Sequence, residues 1–133
     1  MQTVLQILKQ AGGWHPGLYL QIENPPHTAL VIDALDESGP YGLPALSVAQ
    51  YAKALAMPEM CFELGLAGGT HLTPFYFRND SLGVEQFSRT IDGDHYVFVH
   101  QLYEQHQKLA GVWDKRLHDL GFVEAFARQQ AQQ

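Results

Sequence analysis

The sequence predicts a two-layer α+β domain, an antiparallel meander of four or five strands covered by an N-terminal helix and a long C-terminal helix. Three observations lead there. From His95 to Leu120, residues Phe98, Leu102, Leu109, Val112, Trp113, Leu117 and Leu120 fall three, four or seven apart, the spacing of one helical face. Upstream, apolar and polar residues alternate with period two in stretches rich in aromatic and β-branched side chains, the pattern of half-buried strands. The stretches are separated by short breaks containing Gly, Pro and Asn, which suit hairpin connections.

Each element follows from local chemistry. Thr3 is placed to cap a first helix, with Gln6 at the reciprocal capping-box position and Val4, Leu5, Leu8 and Ala11 on the buried side. Gly12-Gly13 ends it. Leu18, Leu20 and Ile22 alternate with Tyr19 and Gln21 in a strand that Asn24-Pro25-Pro26 breaks. Ala29 to Leu35 is the next strand, with Leu30 and Ile32 on one face and Val31 and Asp33 on the other. Ser38 to Gly42 is a loop. Residues 45–57 fit two patterns: Val48, Tyr51, Ala52 and Leu55 match a helix with a Ser47/Gln50 capping box, whereas Leu46, Val48 and Gln50 alternate as in a strand. Met60, Phe62 and Leu64 form one face of a strand ending at Gly65, and Gly68-Gly69 turns the chain. His71 to Arg78 reads as a strand with Phe75 and Phe77 toward the long helix and Tyr76 and Arg78 away from it; Pro74 favours an edge. Val84, Phe87 and Ile91 are spaced for a short helix within Ser81–Ile91. Asp92-Gly93 makes a turn, and Asp94 stands where it could cap the long helix. Gly121 stops that helix, Phe122 folds back on its last turn, Phe122 to Ala127 forms a last helical turn, and Gln129 to Gln133 is expected to fray.

At 133 residues the chain is one domain, residues 1–133, with 46% hydrophobic and 17% charged residues, a globular composition. The net charge is −6, and the densest basic stretch is Lys108, Lys115 and Arg116. A dedicated nucleic-acid binder needs clustered cations, so this class is disfavoured, while a basic partner is compatible with the acidity. Cys61 is the single cysteine; with no internal disulfide to form, a cytoplasmic location is the default expectation. The N-terminus lacks a charged segment followed by a long apolar core, so neither a signal peptide nor a membrane span is expected.

Pro58-Glu59-Met60-Cys61-Phe62-Glu63-Leu64, Pro74 to Asp80, Leu82-Gly83-Val84 and the closing Trp113, Leu117, Leu120-Gly121-Phe122 resemble a small family of uncharacterised bacterial single-domain proteins, often carried on plasmids, integrative elements or phages. The resemblance implies a strand at 45–51. The family pattern has a His-Tyr pair and an Asn-Gly-Asp loop ahead of the Pro-Glu segment. Here Gln50-Tyr51 and the apolar stretch Ala52 to Met57 stand there instead, so any chemistry of that loop is absent. The resemblance brings no activity with it.

Candidate chemistry is sparse. His100 and Glu104 share a helical face, half of a metal site at most, and Asp94 and His95 lie just before them. A solvated helix face explains the pair better, and no metal or other cofactor is expected. Cys61 sits between Met60 and Phe62, where a buried structural role outweighs nucleophilic chemistry. Asp33, Asp36 and Glu37 cluster after the second strand, and Glu59 and Glu63 share a strand face; an acid/base pair would need that face to line a pocket. The serines lack a nucleophile elbow, and no phosphate-binding loop occurs. Aromatic residues are the better lead. Trp14 and Tyr41 fall in loops, Tyr51 near the Pro-Glu segment, and Tyr76 and Arg78 on the predicted edge strand; such residues make partner or ligand contacts when exposed. The expected function is therefore a non-enzymatic protein-binding accessory factor of a bacterial mobile element, with a protein partner or self-association. One alternative is a small-molecule binder with a cavity between sheet and long helix, lined by Tyr19, Tyr51, Phe62, Tyr76 and Trp113. The other is a metal-assisted or acid/base enzyme.

Overall fold

A computed structural model describes residues 1–65 and 71–132. The element order is α1 (Gln2–Gln10), β1 (Tyr19–Asn24), β2 (His27–Ala34), β3 (Ala45–Ala52), β4 (Leu55–Leu64), β5 (Leu72–Asn79), β6 (Val84–Phe87), β7 (Arg89–Asp92), β8 (His95–Phe98), α2 (His100–Asp119) and α3 (Phe122–Ala131). Strands β1 to β6 form one antiparallel sheet in chain order, and β7 and β8 form a separate two-stranded ribbon. The α+β arrangement agrees with the sequence reading, with six strands in the sheet rather than four or five.

The core lies between the sheet and the helices. Ile22, Leu30, Ile32, Leu46, Val48, Met60 and Phe62 point into it from one sheet face, and Val4, Ile7, Leu117, Phe122 and Phe126 meet them from the helices. Period-two alternation predicts this face of β2 and β4 correctly. The two-way segment 45–57 is a strand hairpin: β3 and β4 turn at Lys53 and Ala54, both at positive φ (52° and 66°). The cross-strand partners, Leu46 to Phe62 and Val48 to Met60, supply the packing that decides against the helix. Gly68-Gly69 lies outside the described residues.

Several expectations are corrected. His95–Phe98 is strand β8 and the long helix starts at His100, so Asp94 is a turn residue and the N-cap is Val99, without a side-chain bond. The buried stripe of α2 is His106, Ala110, Trp113 and Leu117; Leu109 and Val112 are 41% and 73% exposed. Trp113 is wedged beneath the helix, its Nε1–H donating to Gln50 Oε1 at 2.9 Å. Val84, Phe87 and Ile91 belong to strands β6 and β7, not a helix. The α1 N-cap is Met1. Thr3 lies inside the first turn, where its N–H donates to Asp114 Oδ1 at 2.8 Å, so the orphan amide is satisfied from α2 rather than by a local cap. Leu5 and Ala11 are partly exposed, and Ile7 is buried in their place. Gln129 is helical and held: its Nε2–H donates to Gln21 O at 2.9 Å and its Oε1 accepts from Glu23 N–H at 3.2 Å.

Strand β5 departs most from its reading. It is paired on both sides, to β4 and to β6. A bulge opposes Phe62 to Pro74 and Cys61 to Tyr76, so Phe75 is the extra residue and does not share a face with Phe77. Phe77 enters the main core, whereas Phe75 packs with Ala45, Cys61 and Tyr76. Pro74 is tolerated because the β6 ladder covers Tyr76 to Asn79 and ends with Ser88 N–H donating to Phe75 O at 3.0 Å. The second edge of β5 is therefore free of a backbone partner at Pro74.

Candidate functional site

A buried ion pair holds the point where the chain passes from the sheet into β7. Arg89, the first residue of β7, is 2% exposed, and its Nη1 pairs with Glu63 Oε1 at 2.7 Å; Glu63, on β4, is 1% exposed. The guanidinium substitutes for the missing ladder: Nε–H donates to Pro74 O at 3.1 Å and Nη2–H to Thr73 O at 3.2 Å. Glu63 Oε2 in turn accepts the N–H groups of Tyr41 and Leu43 at 2.9 and 3.2 Å, fixing the loop between β2 and β3. A Cβ on Gly39 would lie 2.1 Å from Glu63 Cγ, so glycine is required there for close approach rather than for a turn. One buried ion pair thus ties four segments together, β4, β5, β7 and the loop between β2 and β3.

Above this pair is an aromatic cleft of about 440 Å³, bounded by Tyr41, Thr73, Arg89, Tyr96, Phe98 and Tyr103. Tyr41 and Tyr96 stack with centroids 4.7 Å apart and planes 10° from parallel. Arg89 Cζ lies 5.5 Å from the Tyr41 ring centroid and 5.9 Å from that of Phe75. Burial raises the Tyr96 hydroxyl above the usual tyrosine range. Tyr96 and Phe98 alternate with His95 and Val97 along β8, and all four are exposed. Ile91 and Val99 add further exposed apolar surface. Among the described residues β8 pairs as a strand with β7 alone, and a two-stranded ribbon by itself is marginally stable.

The remaining sequence candidates scatter over three places. Tyr41 is in the cleft, 68% exposed. Trp14 donates its Nε1–H to Ala45 O at 3.1 Å and packs on the main core, closing a core edge. Tyr51, Tyr76 and Arg78 share the sheet face turned away from the helices. There Ser47 Oγ–H donates to Glu59 Oε2 at 2.7 Å, and Arg78 Nε reaches Asp80 at 3.3 Å and Glu59 at 3.7 Å. Tyr76 is 8% exposed and donates its hydroxyl to Glu85; burial, then that carboxylate, pushes its pKa up. Tyr76 is thus a packed residue and Arg78 a paired one, and neither offers a stacking platform.

Glu59 and Glu63 share a face but separate in role, one paired with Ser47 and Arg78, the other with Arg89. Burial and the Glu59 charge raise the Cys61 thiol to about 12, far from a thiolate nucleophile at neutral pH. Asp33 is pushed up by burial and by Asp36 and Glu59. His100 and Glu104 pair with each other at 2.9 Å on the exposed face of α2, and among the described residues no three His, Cys, Asp or Glu side chains converge as a metal ion needs. Of the lining imagined for a cavity under the long helix, Trp113 alone borders one; Phe62 is core, and Tyr19, Tyr51 and Tyr76 lie on the opposite sheet face. Sequence reasoning missed Arg89, Glu63 as its partner, Tyr96 and Phe98. The one available signal was Arg89 flanked by Ser88 and Thr90 ahead of an Asp-Gly turn, a hairpin pattern rather than a helical one.

The fold and this cleft define an α+β sheet-and-helix arrangement carrying an aromatic ribbon. The chain belongs to the family described as a domain of unknown function, DUF6908, which matches residues 2–123. No curated protein and no solved structure matches the chain. No helix among the described residues is long and apolar enough to cross a membrane.

Proposed function

We propose that the protein is a non-enzymatic binding module, and that an extended segment of a partner protein adds as a third strand to the β7–β8 ribbon. The observation that carries this reading is the ribbon itself: β8 exposes Tyr96, Val97 and Phe98 with no strand on its second side among the described residues. Exposed edges of this kind template strand addition. Main-chain bonds to β8 would supply affinity, and the cleft between Tyr41 and Tyr103 would receive alternate apolar side chains of the segment. The Arg89–Glu63 pair holds the ribbon root rigid, which lowers the ordering cost of docking. Cys61 as the sole cysteine supports a cytoplasmic setting. A role as an accessory factor of a bacterial mobile element rests on the sequence resemblance described above.

The test is a selection from a displayed random-peptide library, repeated on the Phe98→Lys variant. Extended peptides with apolar residues at alternate positions are expected, and the variant should lose them. Enriched peptides that bind the variant equally well would defeat the reading. Light scattering of the same samples decides whether a second copy of the chain occupies the ribbon.

A further inference from the structure

A second cavity, built from other residues, opens between the sheet and α2 at the end of the molecule where β1 turns into β2. Its volume is about 390 Å³, room for about a dozen waters, and Trp113, Gln50, Met57, His27 and Arg116 stand in its wall. The cavity is within the size range of small-molecule sites.

Its electrostatics are unusual for this chain. The net charge is −6, yet no lining residue is acidic, and Arg116 is the one formally charged side chain in the wall. Among the described residues Arg116 makes no ion pair within 4.0 Å, in contrast to Arg78 and Arg89. The polar groups deeper in the wall are already committed: Gln50 Nε2–H donates to Thr28 O at 2.9 Å, and Gln50 Oε1 accepts from Trp113. They fix the shape of the site and leave Arg116, the Thr28 hydroxyl and the ring nitrogens of His27 as its open polar groups. Trp113, Met57, Pro58 and Leu120 provide apolar wall around them.

We infer that this cavity is a binding site for a small organic anion, a carboxylate or phosphate on a compact apolar body, with Arg116 holding the anionic group. A guanidinium matches both oxyanions geometrically, and the smaller apolar share of the wall, at Trp113, Met57, Pro58 and Leu120, would seat the ligand's compact apolar body. The site is independent of the ribbon cleft, so the failure of either proposal leaves the other standing.

The chain has two tryptophans: Trp113 borders the cavity and Trp14 does not. Titration of the ¹⁵N-labelled protein with 2-naphthoate is expected to move the Trp113 indole N–H signal saturably and leave Trp14 in place. Arg116→Gln should weaken binding about tenfold or more, and Arg116→Lys should restore part of it. Arg116 is exposed, so both variants are expected to fold, which their NMR spectra report directly. The neutral 2-naphthamide should bind far more weakly than the acid. Equal binding of the amide, equal binding by Arg116→Gln, inorganic phosphate binding as tightly as naphthoate, or no saturation by about 1 mM would each overturn the inference.

Discussion

Breaking the Arg89–Glu63 pair should destabilise the domain more than any other single polar change at its surface or core. Glu63→Gln keeps an oxygen to accept from the Tyr41 or Leu43 N–H but leaves the guanidinium, 2% exposed, without its counter-charge. Breaking a buried pair from one side costs about 3–5 kcal/mol. The carbonyls of Thr73 and Pro74 and the ring faces of Tyr41 and Phe75 still surround the cation, which places Glu63→Gln near about 3 kcal/mol. Arg89→Met also strips those two carbonyls of their donors, at about 1–3 kcal/mol for a buried group left unsatisfied, and should cost about 5 kcal/mol. Because both variants remove the same contact, the double variant should fall short of additivity by about 2 kcal/mol, within the range of coupled contacting residues. Urea unfolding of the four proteins gives these differences. Additivity within about 0.5 kcal/mol, or single losses under about 1 kcal/mol, would refute the view that this pair is the anchor of the ribbon.

Three further outcomes follow from other parts of the structure. Gly39→Ala forces a Cβ to 2.1 Å from Glu63 Cγ, and since Glu63 has no room to move, a loss of about 1–3 kcal/mol is expected in urea unfolding; a shift within about 0.5 kcal/mol, the usual effect of surface substitutions, contradicts the packing described. His106 is buried with Nδ1 accepting from Ser88 Oγ–H and Nε2–H donating to Gln86 Oε1, and burial lowers its pKa below 6.5. The unfolded chain therefore binds the proton first, so stability is full above 6.5 and declines as pH falls through the folded value. His106→Gln should flatten the loss that sets in as pH falls below 6.5, and an unchanged slope in paired urea titrations would exclude this role. The Cys61 thiol is raised from 9.0 to about 12, so its contribution is present below 9 and is lost as pH rises toward 12. Cys61→Ala should remove that part of the alkaline decline, and a thiol reagent at pH 8 should label the native protein only at the rate of its opening; prompt labelling would contradict the burial.

What was legible in the sequence was what local spacing controls. Leu30 and Ile32 on β2, and Met60, Phe62 and Leu64 on β4, announce a buried sheet face through alternation alone, and Gly121 with Phe122 marks the end of α2. The errors are places where distant groups decide. Asp114 supplies the α1 end from 111 residues away, so Thr3 looked like a cap. His106 and Ala110 carry the buried stripe of α2, and a polar residue in that stripe shifts the apparent apolar face onto Leu109 and Val112. Tyr96 and Phe98 have a spacing that suits either a strand or the start of a helix, and the hydrogen bond from Val99 N–H to Ser88 O at 2.8 Å closes them into a ribbon. The candidate site was legible in one residue, Tyr41. Its anchor was not, because charged residues such as Glu63 and Arg89 reveal their burial only through each other.

Hydrogen exchange on the protein with and without a selected peptide addresses the proposed docking edge most directly. New protection should concentrate on His95 to Phe98, with β3 and β4 unchanged. Protection centred on β1 or on the exposed face of α2, with the ribbon exchanging as it does alone, would contradict strand addition at β8.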